Sequence, residues 1–211
     1  MKTDDLIAAL SADTVPAVPP VRVFWQLVLP AVALSVGLML LTLGLRPDLT
    51  AALRDPVVLV KSILPAVLAF GGLYVALRLA RPTGRPALAA RLLWLVPAVA
   101  AALVTLTLAT QPPALWGALL MGKTMRYCIT LIPALSVPML AATFWALRRG
   151  APIDPPRAGL AAGLGAGALS AAIYSLHCPE DSPLFFAAWY GTGILTVSLI
   201  GGLLGSRLLR W

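Results

Sequence analysis

Apolar residues dominate six runs of the chain, and each run is about as long as a helix that crosses a membrane. We place them at residues 24–45, 57–79, 88–109, 126–147, 158–176 and 184–206. A hydrocarbon core of roughly 30 Å needs about 20 helical residues, which these runs supply. The pattern predicts an all-α membrane protein, built as a six-helix transmembrane bundle.

Lys and Arg divide unevenly between the two sides of this predicted bundle. The termini and the loops after the second and fourth runs carry eleven of them, and the other loops carry five. Because cytoplasmic loops are enriched in Lys and Arg, we predict that the N-terminus and the C-terminus are both cytoplasmic. The net charge is +8, from 16 Lys and Arg against 8 Asp and Glu, and the positive-inside rule explains why the arginines lie in short loops between the apolar runs. No basic patch with interleaved aromatic residues suggests direct nucleic-acid binding.

The composition is unlike that of an ordinary soluble domain. The chain is 60% hydrophobic and only 11% charged, against about 25% charged residues in ordinary soluble domains. The N-terminus lacks the pattern of a cleavable signal peptide, so the first run is expected to stay in the membrane. No Asp or Glu lies inside a run, which argues against an ion-coupled transporter. Lys61 lies near an outer run end and is expected to extend to the membrane interface.

Residues 1–22 form a short cytoplasmic segment ahead of the predicted transmembrane domain, 23–211. Thr3 is a suitable N-cap, and two acids in the first turn suit the helix dipole, Asp4 and Asp5. Three apolar residues then share one face of a helix over about 3–11: Leu6, Ile7 and Leu10. Residues 13–20 are predicted to be an extended tether. The alternatives are a frayed tail and an amphipathic helix that binds a groove of a cytoplasmic partner.

The last two runs are rich in glycine at helical spacing. Gly159, Gly163 and Gly167 share one face of the fifth run, and Gly201 and Gly205 repeat the interval in the sixth. Small residues at this spacing let membrane helices approach closely. We predict a close contact between these two helices. The alternative is that the Gly159 face contacts a second protomer, which would make the protein a homo-oligomer.

Cys128 and Cys178 are the two cysteines of the chain, and both fall on the predicted outer side. They are inert apolar residues, a structural disulfide, or a thiol pair that reacts with oxidants or soft metals. Cys178 is expected to be solvent-exposed in its loop. Three neighbours are candidate auxiliary groups: His177, Glu180 and Asp181. Two Cys and one His make an incomplete zinc set, so any metal would be bound transiently by the two thiols.

The features together resemble the NrsF-type membrane anti-sigma factors. The opening segment 1–10 and the segment His177–Pro183 followed by Trp189–Tyr190 look like the family's motifs, and Cys128 matches its other cysteine. The resemblance covers nearly the whole chain.

The resemblance implies a multi-pass protein of the bacterial inner membrane, without a cofactor and without enzyme activity. Such a protein holds an extracytoplasmic-function sigma factor inactive and releases it under heavy-metal or oxidant stress. Cys128 and Cys178 would be the sensing pair, and the segment around Leu6 would contact the sigma factor. The main alternative is a small-molecule transporter or channel component, and a purely structural membrane subunit is the next.

Overall fold

The computed structural model describes residues 3–12 and 20–210, and within these it is all-helical, without strands. The helices are α1 Thr3–Ser11, α2 Pro20–Thr42, α3 Leu49–Ala52, α4 Pro56–Leu79, α5 Ala87–Leu92, α6 Leu95–Thr110, α7 Pro113–Met121, α8 Met125–Leu147, α9 Pro155–Tyr174 and α10 Pro183–Leu208. Most of the predicted tether, residues 13–19, lies outside the described residues.

Five segments are long and apolar enough to cross a membrane: Val21–Thr42, Pro56–Leu79, Ala87–Thr110, Pro113–Leu147 and Pro183–Leu208. The predicted fifth run coincides with α9, which is 20 residues long but consists largely of Gly and Ala. It is therefore less apolar than the others. Because neighbouring helices bury α9 along most of its length, its side chains need not be as apolar as side chains that face lipid. The count of six spans and the position of the termini stay predictions.

The sequence pattern missed two helices, α3 and α7, and the predicted third run, 88–109, is divided between α5 and α6. Helix α7 occupies the stretch that the apolar runs assign to an outer loop. It begins with proline at its first position, where the missing N–H costs no hydrogen bond. It is followed by Gly122, whose φ of +51° is accessible to glycine but strained for other residues. The chain then turns directly into α8.

Helix α9 lies at the centre of the packing, between α4, α8 and α10. A Cβ placed on Gly159 would lie 2.8 Å from Cα of Gly205, and one on Gly163 would lie 2.8 Å from Cα of Ser198. The glycine face of α9 therefore meets α10 of the same chain. The opposite face packs equally closely on α4, since a Cβ on Gly72 would lie 2.9 Å from the amide nitrogen of Gly165.

Buried serines tie three helix pairs together. Ser35 of α2 donates to the carbonyl of Leu135 at 2.9 Å, and Ser170 of α9 donates to that of Ile132 at 2.6 Å. Ser198 of α10 donates to the carbonyl of Leu160 at 2.9 Å. Hydrogen bonds between helices set their register where lipid offers no hydrophobic drive for association.

The bundle has two unlike ends. We call the thiol end the one formed by the starts of α4, α8 and α10 and the ends of α2 and α9. At the opposite end, the arginine end, lie the loops after α4 and between α8 and α9, joined by the amide of Ala151 donating to the carbonyl of Ala80 at 2.9 Å. Exposed arginines lie there, among them Arg78, Arg81, Arg85, Arg148, Arg149, Arg157 and Arg207.

Candidate functional site: a buried thiol pair

Cys128 and Cys178 meet at the thiol end. Cys128 is in the first turn of α8, and Cys178 follows the end of α9. Both are free thiols with 0% exposure, and they lie within hydrogen-bonding reach of each other. The structure therefore brings the predicted pair together. The expectation that Cys178 is solvent-exposed is wrong, because the ends of five helices close around its loop.

Hydroxyl groups surround the two sulfurs. The Cys128 Sγ lies 3.7 Å from the hydroxyl of Tyr174, and the Cys178 Sγ lies 3.8 Å from Oγ1 of Thr124. Tyr190 packs edge-on against Tyr174 with ring centroids 5.9 Å apart. Its buried hydroxyl has no conventional hydrogen-bond partner within the described part of the chain and interacts with Cys178. The thiols thus share polar surroundings inside an apolar bundle.

Lys61 is the group that sequence reasoning placed wrongly. It does not extend to an interface: its side chain is 0% exposed. Its ammonium donates to the carbonyls of Cys178 at 2.7 Å and Glu180 at 3.0 Å and to the carboxylate of Asp181 at 2.7 Å. All three bonds of the ammonium are used, which is what a buried charge requires. No periodicity in α4 indicated this, because the partners are more than 100 residues away in sequence.

Arg46 holds the same loop from the end of α2. Its guanidinium forms two bonds to Asp181, at 2.9 and 3.0 Å, and two to Asp48, at 2.8 and 2.9 Å. Such forked pairs combine charge with fixed geometry. Asp181 is therefore shared between Arg46 and Lys61, and it joins α2, α4 and the Cys178 loop. We call Arg46, Lys61 and Asp181 the ion cluster.

The surroundings set the charge state of the loop. Burial alone would raise the pKa of Asp181, but its hydrogen bonds from Arg46 and Lys61 outweigh that and hold it below the usual value. The hydrogen bond with Cys128 lowers the pKa of the Cys178 thiol; burial opposes this, and the Lys61 charge reinforces it. Of the two thiols, Cys178 is therefore the one that ionises more readily.

The remaining auxiliary candidates face other partners. His177 Nδ1 lies 3.0 Å from the carbonyl of Gly44, so the imidazole ties the loop to α2. The Glu180 carboxylate accepts a hydrogen bond from the amide of Lys123 at 2.7 Å, which ties the loop to the turn before α8. In the described ranges, no three His, Cys, Asp or Glu side chains converge as a metal site. The donors that face one another are the two sulfurs, which suit a soft ion of low coordination number.

The candidate partner-binding segment forms α1. Leu6 and Ile7 are 43% and 59% exposed, and both acids lie in its first turn, Asp4 and Asp5. Leu10 belongs to the helix, but its side chain lies outside the described residues. The apolar face is thus available on at least two of its three positions.

Comparison with known proteins decides the family. The model of the NrsF family, described as negative regulator of sigma F, matches residues 9–211. The chain belongs to the NrsF family. It is 43% identical to the anti-sigma-F factor NrsF of Caulobacter vibrioides and 38% identical to the probable anti-sigma-F factor NrsF of Azospira oryzae, over 100% of both chains in each case. No solved structure gives a significant match.

NrsF membership confirms the resemblance drawn from the His-Cys segment and the N-terminus. It supports a regulatory rather than a catalytic role, and with it the anti-sigma role. The helices that could cross a membrane are compatible with a membrane protein.

Proposed function

We propose that this protein is a membrane-bound anti-sigma factor of the bacterial inner membrane. It holds an extracytoplasmic-function sigma factor inactive on the cytoplasmic face and releases it when Cys128 and Cys178 react with a soft metal ion or an oxidant. The observation that carries the sensing proposal is the contact of two free thiols that are 50 residues apart in sequence. The full-length relatives named anti-sigma-F factor support the partner class.

The sigma factor binds at the arginine end, which is cytoplasmic in this proposal. Leu6 and Ile7 are exposed on α1, and an amphipathic helix with two or three apolar anchors suits a groove on a partner protein. Exposed arginines of the neighbouring loops contribute long-range attraction to acidic surfaces of the partner. The residues that touch the sigma factor are therefore Asp4, Asp5, Leu6, Ile7 and Leu10.

Either stimulus joins the same two sulfurs. A soft metal ion replaces the thiol protons and bridges Cys128 and Cys178 as thiolates. An oxidant such as a peroxide takes two electrons, the two thiols lose their protons, and a sulfur–sulfur bond forms while the peroxide is reduced to water. Both reactions tie the start of α8 to the loop between α9 and α10.

The close packing of α9 transmits that change. Backbone meets backbone where α9 crosses α4 and α10, so a shift of the Cys178 loop moves whole helices rather than single side chains. The arginine end then loses the arrangement that holds the sigma factor. Reversing the populations of two states from 1:99 to 99:1 needs about 5.5 kcal/mol of differential binding, which a disulfide or a two-thiolate complex supplies.

Reporter transcription from a sigma-dependent promoter tests the sensing step. Cells that carry Cys128→Ser and Cys178→Ser together should keep the promoter silent under cadmium or diamide, whereas wild-type cells induce it. Gly37→Ala is the matched control, since a Cβ at Gly37 meets nothing within 4 Å. Normal induction in the cysteine-free cells would refute sensing by these thiols. Solute flux in reconstituted vesicles, without co-purification of a sigma factor, would favour the transporter alternative.

A further inference from the structure

A surface cavity of about 450 Å³ opens where α7 turns into α8, at the thiol end of the bundle. Two methionines and four polar residues contribute most of its walls: Met121, Met125, Lys123, Arg126, Tyr127 and Thr130. Neither Cys128 nor Cys178 is among its lining residues. The cavity is therefore a feature of this end separate from the thiol pair, and its walls carry both charge and apolar surface.

The cavity presents hydrogen-bond donors that the protein itself leaves unused. Lys123 and Arg126 are exposed, and within the described part of the chain neither forms an ion pair. Tyr127 is 60% exposed, and its hydroxyl is likewise unbonded in that part of the chain. Thr130 differs, because its hydroxyl donates to the carbonyl of Arg126 at 2.9 Å. The available donors are thus an ammonium, a guanidinium and a phenol.

The charge of these walls favours an anion. The carboxylate of Glu180 lies beside the turn, where it accepts the amide of Lys123 at 2.7 Å, but it does not line the cavity. The lining residues therefore carry two positive charges and no negative one. A guanidinium beside an ammonium suits the several oxygens of a phosphate group, which accept charge-assisted hydrogen bonds.

Helix α7 leads into the cavity and offers apolar surface next to these cations. Its nine residues are all apolar or glycine, and none of them is buried. Its length of about 14 Å is roughly half of a hydrocarbon core, so it does not cross a membrane by itself. Trp189 holds the end of α7 by donating to the carbonyl of Leu120 at 2.7 Å. Apolar surface that ends at basic and aromatic residues is the pattern expected where acyl chains meet headgroups.

We propose that this cavity binds the phosphate group of an anionic phospholipid, with Lys123, Arg126 and Tyr127 as the donors. The acyl chains of the lipid lie along α7 and the two methionines. A soluble phosphate would satisfy the same donors but would leave the exposed apolar surface of α7 unused, so the lipid fits both halves of the site. The inference goes beyond the proposed function, since it requires neither a sigma factor nor reaction of the thiols.

Native mass spectrometry of the full-length protein in detergent micelles measures which lipid stays bound. Phosphatidylglycerol, which is anionic, and phosphatidylcholine, which is zwitterionic, are added in equal amounts with the same acyl chains. We expect the wild type to bind phosphatidylglycerol about thirtyfold more tightly, the ratio that two basic residues near an anionic headgroup provide.

Substitutions in the cavity should remove this preference. Lys123→Gln together with Arg126→Gln should make the two lipids bind equally, and Arg126→Gln alone should reduce the preference about fivefold. Arg54→Gln is the matched control, because it removes an exposed arginine of the same end that does not line the cavity. It should leave the preference unchanged.

Equal binding of the two lipids by the wild type would overturn the proposal, and this comparison decides the matter even if a variant fails to fold. An unchanged preference in the double variant would overturn it too, as would an equal loss in Arg54→Gln and Arg126→Gln. Glycerol 3-phosphate carries the phosphate without acyl chains. Its displacement of phosphatidylglycerol at equal concentration would identify the ligand as a soluble phosphate and contradict a lipid site.

Discussion

The two ends of the bundle use basic residues in opposite ways. At the thiol end, Lys61 and Arg46 are buried and every donor that faces the Cys178 loop is engaged. At the arginine end, the basic side chains are exposed, and among the described residues the ion pair that forms there joins Arg157 to Asp154, at 3.1 Å. The first arrangement holds a loop in one conformation, and the second leaves side chains free to meet a partner or lipid headgroups.

The difference shows that a count of Lys and Arg predicts orientation but does not predict which of these residues are buried. Counting Lys and Arg predicts which side of the membrane each end faces, because exposed charges follow the positive-inside rule. The same count assigns Lys61 to the minority side without any hint that it is buried. A basic residue of the thiol site is buried and paired, whereas one that reflects membrane orientation is exposed. Burial and pairing depend on tertiary contacts, which a residue count does not contain.

The largest expected effect comes from breaking the ion cluster. Asp181→Ala leaves two buried cations without their shared carboxylate, so we expect a loss of about 3–5 kcal/mol of unfolding free energy. Chemical unfolding in detergent micelles measures it. Arg157→Gln breaks the exposed pair at the other end and should cost about 0–1 kcal/mol. Equal losses in the two variants would show that the ends do not differ in the way described.

An intermediate effect is expected from the helix that connects the ends. Gly159→Ala places a methyl group 2.8 Å from Cα of Gly205 and against the Gly201 carbonyl, which forces α9 and α10 apart. Overpacking of this kind costs about 1–3 kcal/mol. The same unfolding measurement applies, with Gly37→Ala as a control in open space. A neutral Gly159→Ala would mean that the helices separate easily and transmit little.

The smallest effect is expected at the arginine end. Arg148→Gln with Arg149→Gln removes two exposed charges, and stability should change by no more than about 0.5 kcal/mol. In a pull-down, the amount of sigma factor retained should nevertheless fall with increasing salt concentration, and this fall should be steeper for the wild type than for the variant. Identical salt dependence would remove these arginines from the binding surface.

Much of the fold was predictable because long apolar helices are recognisable from continuous apolar runs in the local sequence. The apolar runs coincide closely with α2, α4, α8 and α10, and the glycine spacing placed α9 against α10. Helix α7 was missed because its nine residues are shorter than a membrane-crossing run.

The candidate site was only half predictable. The two cysteines stood out because the chain has no others, and their positions at run ends placed them on one side. The roles of Lys61, Arg46 and Tyr174 were not visible, since each acts through contacts with residues distant in sequence. Asp181, one of the candidate auxiliary groups, is neutralised by two cations, and the pKa of Cys178 is lowered.

The proposed function requires that reaction at the thiol end releases a sigma factor from the arginine end. The most direct measurement is the amount of sigma factor that stays bound to the full-length protein in nanodiscs before and after addition of cadmium ions. We expect the wild type to release the sigma factor and the variant that carries Cys128→Ser and Cys178→Ser to retain it. Equal release from both proteins, or retention by both, would contradict it.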